Sequence, residues 1–256
     1  MKHTLTLAAW NFRLARRSLL ALWGIFAAQQ LALVVFRICW QGAAGMGLAS
    51  HYYATMQIFA YLGFYLLTAL AAGAATHNSR RARSGYTWAT LPGTPGQKFA
   101  AKAVTIAAAE LVFAAWQLVW YIVEFYPVTA LEGWRRRQLY GAVLPAANLY
   151  EQVVANNLFA RLLPRRPAQI VILLGILALS AAMLAALDTV RGWRKLPVFA
   201  SGLFCAWVCF GIVSIEQHLE WLLDEPRYAF RIAAAVVLAV LTVWWAVRSI
   251  RRGETC

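Results

Sequence analysis

Between residues 80 and 102 the chain reads RRARSGYTWATLPGTPGQKFAAK. Arg80, Arg81 and Arg83 open the segment, a small aromatic run Tyr86–Leu91 follows, and Leu91-Pro92-Gly93 ends it. Ser84 can cap a helix over Tyr86–Leu91. A helix that short does not hold in water, so it needs a membrane surface or a protein cleft. Beyond the break, Thr94 is a natural N-cap, Pro95 suits the first helical position and Gln97 closes a capping box. Lys98 and Lys102 read as snorkelling to a membrane interface. The segment is a helix–turn–helix between two long apolar stretches, with Tyr86, Thr87, Trp88 and Leu91 available for contact. The plainer reading is an aromatic-belt loop at headgroup depth. Gly93–Lys98 has the look of a phosphate loop, but it lacks the spacing, the Ser or Thr after the lysine and a preceding strand.

Working outward, the 256 residues are 62% hydrophobic and 13% charged, where a soluble domain carries about a quarter charged residues. Apolar stretches of about twenty residues recur, each able to cross a bilayer core of roughly 30 Å as a helix. The composition predicts one all-α integral membrane domain over residues 1–256, with six transmembrane helices and no room for a separate soluble enzyme domain. The net charge of +14 is spread over the flanks of apolar stretches, where it sets topology, rather than gathered as a nucleic-acid footprint. Cys205 and Cys209 share a helix face as small buried hydrophobes; no metal or disulfide signature is present. The N-terminus lacks a convincing cleavage site and reads as an anchor that is kept.

The expected spans are Leu19–Phe36, Tyr53–Thr76, Phe99–Phe125, Gln169–Leu187, Pro197–Ile215 and Ala229–Val247. Cationic clusters before the first, between the second and third, between the fourth and fifth, and after the sixth all fall on one side. The positive-inside rule places that side, with both termini, in the cytoplasm of a cell (plasma or inner) membrane. Thr4–Arg17 reads as an in-plane surface helix with Leu5, Ala8, Ala9 and Phe12 on its apolar side. Residues 126–168 would form an extracytoplasmic loop with surface helices, Tyr150, Val153, Val154, Leu158 and Leu162 facing lipid or protein. Its Arg135, Arg136, Arg137, Arg161, Arg165 and Arg166 conflict with the charge rule there; a short extra crossing near Leu139–Phe159 would flip the parity and put the C-terminus outside, but Asn148, Glu151, Gln152, Asn156 and Asn157 argue against it.

Glu110, Gln117 and Glu124 recur at intervals of seven and fall on nearly one helical face. In lipid, Glu110 and Gln117 must face a protein interior or an aqueous cavity. They either line a substrate path or make an interhelical hydrogen bond, with Gln29, Gln30 or Gln57 as partners. Glu124 reads as interfacial. Glu216, Glu220 and Asp224 form a solvated acidic face rather than a metal site.

The layout resembles the permease subunits of ABC-2-type transporters: an in-plane N-terminal helix, six spans, cytoplasmic termini and a coupling helix between spans two and three. Gly85, Thr87, Leu91-Pro92, Thr94 and Lys102 match that family's coupling loop. An acidic residue common before the coupling helix is replaced by Arg80, Arg81 and Arg83. The resemblance implies a permease subunit of an ATP-driven ABC exporter in the cell membrane. It would engage an ABC ATPase subunit through Tyr86, Thr87, Trp88 and Leu91 and pair with a second permease subunit, as homo- or heterodimer. ATP and Mg would be held by the ATPase, with no cofactor and no catalytic residue on this chain. It further implies outer-gate contacts at Glu216 and Glu220. The rival readings are a membrane enzyme using Glu110, a non-transporting structural or sensor subunit, and a proton-coupled carrier.

Overall fold

Residues 2–75, 90–141, 148–156, 158–159, 167–190, 192–215 and 226–252 are described by the computed structural model. Among them the regular structure is helical, without a strand. The helices are α1 (Lys2–Cys39), α2 (Leu48–Ala54), α3 (Gln57–Ala74), α4 (Pro95–Tyr140), α5 (Leu149–Ala155), α6 (Pro167–Thr189), α7 (Lys195–Ile215) and α8 (Pro226–Arg251), with a 3₁₀ turn at Gly192–Arg194. Five of them, α1, α3, α4, α6 and α8, are long and apolar enough to cross a membrane. The protein is an all-α, multi-pass membrane protein in its described residues.

Three boundaries differ from the expectation. First, α1 runs unbroken for 38 residues, so Thr4–Arg17 is not a separate in-plane helix. Its junction, Leu14–Leu20, contains neither Gly nor Pro and is rich in Ala, Leu and Arg, all strong helix formers. The buried side is Leu7, Ala8, Asn11, Ala15 and Leu19, whereas Leu5 is exposed. Second, the chain before the second long helix forms the separate α2. The Thr55 hydroxyl donates to the His51 carbonyl at 2.8 Å, and Met56 turns into the left-handed region at φ 55°. Third, α4 continues through Pro127 to Tyr140, so residues 126–140 are helix rather than loop. At 46 residues it is about 69 Å long, more than twice a bilayer core. Pro127 removes one backbone donor without ending it.

By packing, the chain divides into two units. One comprises Met1–Arg17, Ala69–Glu110 and Ala168–Cys256. Within it, Leu7 and Ala8 pack on Ala101, flanked by Trp10 and Leu91. The Thr105 hydroxyl lies within 3.3 Å of the Ala8 carbonyl and 2.8 Å of its own helix's Ala101 carbonyl. Lys102 is buried and ion-paired with Asp188 near the end of α6. It therefore does not snorkel; the carboxylate gives it a partner inside. Gly73 on α3 comes close to the same carboxylate: a Cβ there would stand 3.1 Å from Asp188 Cγ. Met183 of α6, Cys205 and Val208 of α7, and Ala235 and Ala239 of α8 form one cluster, where small residues allow close approach. Ser201 of α7 and Thr242 of α8 bond at 3.1 Å.

The other unit comprises Ser18–Thr68 and Leu111–Pro167. Its aromatic centre is Phe26, Tyr61, Phe64 and Phe113, with Phe26–Phe64 centroids 4.6 Å apart and Tyr61–Phe113 centroids 5.3 Å apart. Trp23 Nε1 donates to Thr68 Oγ1 at 3.1 Å. A second cluster gathers Val34, Ile38, Leu48, Tyr52, Tyr121, Phe125, Val128 and Phe159. Arg135 donates to the carbonyl of Cys39, the last residue of α1, at 3.2 Å. A cation at a helix C-terminus meets its orphaned carbonyls and its dipole, which gives one of the charge-rule exceptions a structural task.

Candidate functional site

The second unit is built around a buried polar network on one face of α4. Gln117, Tyr121, Glu124 and Glu132 succeed one another along that helix at spacings of four, three and eight, and all are buried. Burying each is costly without a partner, about 1–3 kcal/mol for an unpaired polar group and more for a charge. The partners come from two short helices. Tyr52 donates its hydroxyl to Glu124 Oε2 at 2.7 Å. His51 Nε2 meets Glu132 Oε1 at 2.6 Å, and the same oxygen accepts the Gly47 backbone N–H at 3.2 Å. From α5, the Gln152 side chain accepts the Ala49 N–H at 3.0 Å, while the Gln152 carbonyl accepts the Tyr121 hydroxyl at 3.0 Å.

The local sequence explains the placement. Gly47 adopts φ 79°, a conformation that glycine takes without strain, and starts α2. A Cβ on Gly47 would lie 2.7 Å from Gln152 Oε1, so the glycine also admits the α5 side chain. Asn148 caps α5, accepting the Tyr150 N–H at 3.0 Å. Burial first, then the neighbouring Glu124 carboxylate, pushes the Tyr52 phenol well above its ordinary value, which keeps it a hydrogen-bond donor. Chemically the network is a set of buried donors and acceptors with two carboxylates, each held by an aromatic partner. Among the described residues no group of three His, Cys, Asp or Glu could hold a metal ion.

The residues singled out by sequence fall in different places. Glu110 is fully buried in the first unit and takes the Ser180 hydroxyl at 3.1 Å, so its interhelical partner is on α6 rather than Gln29, Gln30 or Gln57. Gln117 is fully buried in the second unit, with its side-chain amide beside the Tyr52 hydroxyl. Glu124 is not interfacial: it is 1% exposed and holds Tyr52. Leu91 packs partly buried beside Leu7, Ala8 and Ala101. The capping box is formed reciprocally, Gln97 N to Thr94 Oγ1 at 3.3 Å and Thr94 N to Gln97 Oε1 at 3.0 Å, and α4 begins at Pro95. Cys205 is buried and its thiol lies 3.6 Å from the Ala235 carbonyl, and Cys209 is half-buried. On α5 and after it, Tyr150 and Val154 are exposed, whereas Leu158 is buried and Val153 packs on the second cluster. Tyr86, Thr87, Trp88, Glu216 and Glu220 lie outside the described residues.

His51, Tyr52, Glu132, Gln152 and Asp188 were not anticipated. For Glu132 a signal existed, because it stands eight residues beyond Glu124, a little over two helical turns, and so close to the same face. Reading residues 126–140 as loop ended the series too early.

No family model matches the chain, and no curated protein and no solved structure matches it either.

Proposed function

We propose that the chain is the membrane-spanning subunit of an ATP-driven exporter, with a separate ATPase supplying nucleotide and Mg. The observation that carries the reading is the start of α4. Thr94 and Gln97 cap it reciprocally, and Leu91 beside the break is packed against Leu7, Ala8 and Ala101. A segment entering α4 through so fixed a turn can transmit a push along the helix. In this reading α7, 21 residues long, is the sixth crossing. Both termini and residues 80–98 then face the cytoplasm, where Tyr86–Leu91 docks in the ATPase. ATP binding would switch two paired permease chains between states that favour cargo differently.

The test is gentle purification from the native membrane with Trp88→Glu as the variant. The expected result is an ATPase that accompanies the wild-type chain and is uncoupled by the substitution, with the melting temperature unchanged. If no nucleotide-binding protein accompanies the chain and Trp88→Glu alters no associated activity, the proposal fails. A membrane enzyme, the rival class, would instead act in isolation without ATP.

A further inference from the structure

The unit formed by Ser18–Thr68 and Leu111–Pro167 contains an internal layer made of amides. Phe26, Tyr61 and Phe113 are in mutual ring contact, with centroids 5.5 Å apart for Phe26–Phe113, 6.5 Å for Phe26–Tyr61 and 5.3 Å for Tyr61–Phe113. Val34, Tyr52 and Tyr121 belong to one second cluster. Between the two sets each long helix places one glutamine. Gln30 follows Phe26 and precedes Val34 by four residues on α1. Gln117 follows Phe113 and precedes Tyr121 by four on α4. Gln57 precedes Tyr61 by four on the antiparallel α3, just after the α2–α3 break. Four residues are about 6 Å of rise, so the three glutamines lie at one depth, closed by rings on either side.

All three are at most 1% exposed; neither amide atom of Gln30 or Gln57 has a hydrogen-bond partner in the protein, and Gln117 has only the Tyr52 hydroxyl beside its amide. That hydroxyl gives its own proton to Glu124, so it can only accept from Gln117. Setting aside the one Gln117 N–H turned to Tyr52, the three amides offer five N–H donors and three carbonyl acceptors in an apolar surrounding. Orphaned amides at such a depth are not tolerated unless something bonds them. Three amides without formal charge suit a guest that both donates and accepts. A charged guest would be buried without a counter-charge in the layer.

We propose that Gln30, Gln57 and Gln117 form a binding site for a small uncharged amide- or hydroxyl-bearing group. The site does not depend on an ATPase partner. It also explains why three long amides are placed where leucines would pack as well.

The test uses the full chain in detergent or nanodiscs, with trifluoroacetamide as the probe and 1,1,1-trifluoropropane as its apolar control, both observed by fluorine NMR. Saturable binding of trifluoroacetamide is expected. It should weaken at least tenfold in Gln57→Leu and in Gln117→Leu and stay unchanged in Tyr53→Phe, an exposed neighbour. The leucine variants should melt at or above the wild-type temperature, since leucine needs no partner. If a leucine variant does not fold, Gln57→Met takes its place. Undiminished binding in these variants, equal uptake of the apolar probe, or no saturable binding to wild type each overturns the proposal. A lowered melting temperature in all of them, with binding absent, would mean that the amides only bond one another, and would overturn it too.

Discussion

At the scale of single residues, the buried network turns on two aromatic–carboxylate pairs. The Glu132 carboxylate is held by His51 Nε2 and the Gly47 N–H. His51→Ala would leave that carboxylate buried with one donor fewer. The expected loss is about 2–4 kcal/mol, read as a lower melting temperature in detergent. His51→Leu combined with Glu132→Leu should recover most of it, because two apolar residues need no pairing. Unchanged melting in His51→Ala would show that the pair carries no stability. Sequence could not reveal this pair. His51 has no periodic neighbour of its own kind, and its partner lies 81 residues away. Glu124 misled for a related reason: near a span's expected end, an acid reads as interfacial until Tyr52, from a different helix, is seen to cover it.

At the scale of elements, the signals that stood out were local. Thr94, Pro95 and Gln97 fix the start of α4 within four residues, and that start is where the structure has it. The end of α4 was harder to read, because Pro127 and the arginines after it imitate a loop. Beyond the proline the helix is held by the packing of Val128, the engagement of Glu132 and the bond from Arg135 to the Cys39 carbonyl. The α1 junction failed for the opposite reason: charge at Arg16 and Arg17 suggested a bend, though nothing in the backbone chemistry requires one. The Lys102–Asp188 pair ties α4 to α6 and makes an element-level prediction. Lys102→Met should cost about 3–5 kcal/mol by taking the counter-charge from the buried Asp188 carboxylate, and adding Asp188→Leu should restore most of the loss. A double-mutant cycle by thermal unfolding checks it, and additive costs would refute the coupling.

At the scale of the whole molecule, membrane character was plain from composition, while the arrangement of polar groups was not. With α7 counted as a crossing, six helices return the chain to its starting side. Reporter fusions should therefore find residues 2 and 252 on the same, cytoplasmic face, and opposite faces would rule out six crossings. The network's long sequence separations also govern how the protein is made. Ala49 waits for Gln152 across 103 residues, His51 for Glu132 across 81 and Tyr52 for Glu124 across 72. At ribosomal speeds of about 5–20 residues per second, those waits last on the order of 4 to 20 seconds. During that interval α2 emerges with its polar side chains unsatisfied while α3 and α4 are still being synthesised. Closure of this unit is thus a late event in biogenesis, and a nascent chain stalled before Glu124 would hold two membrane helices with nothing to seal them.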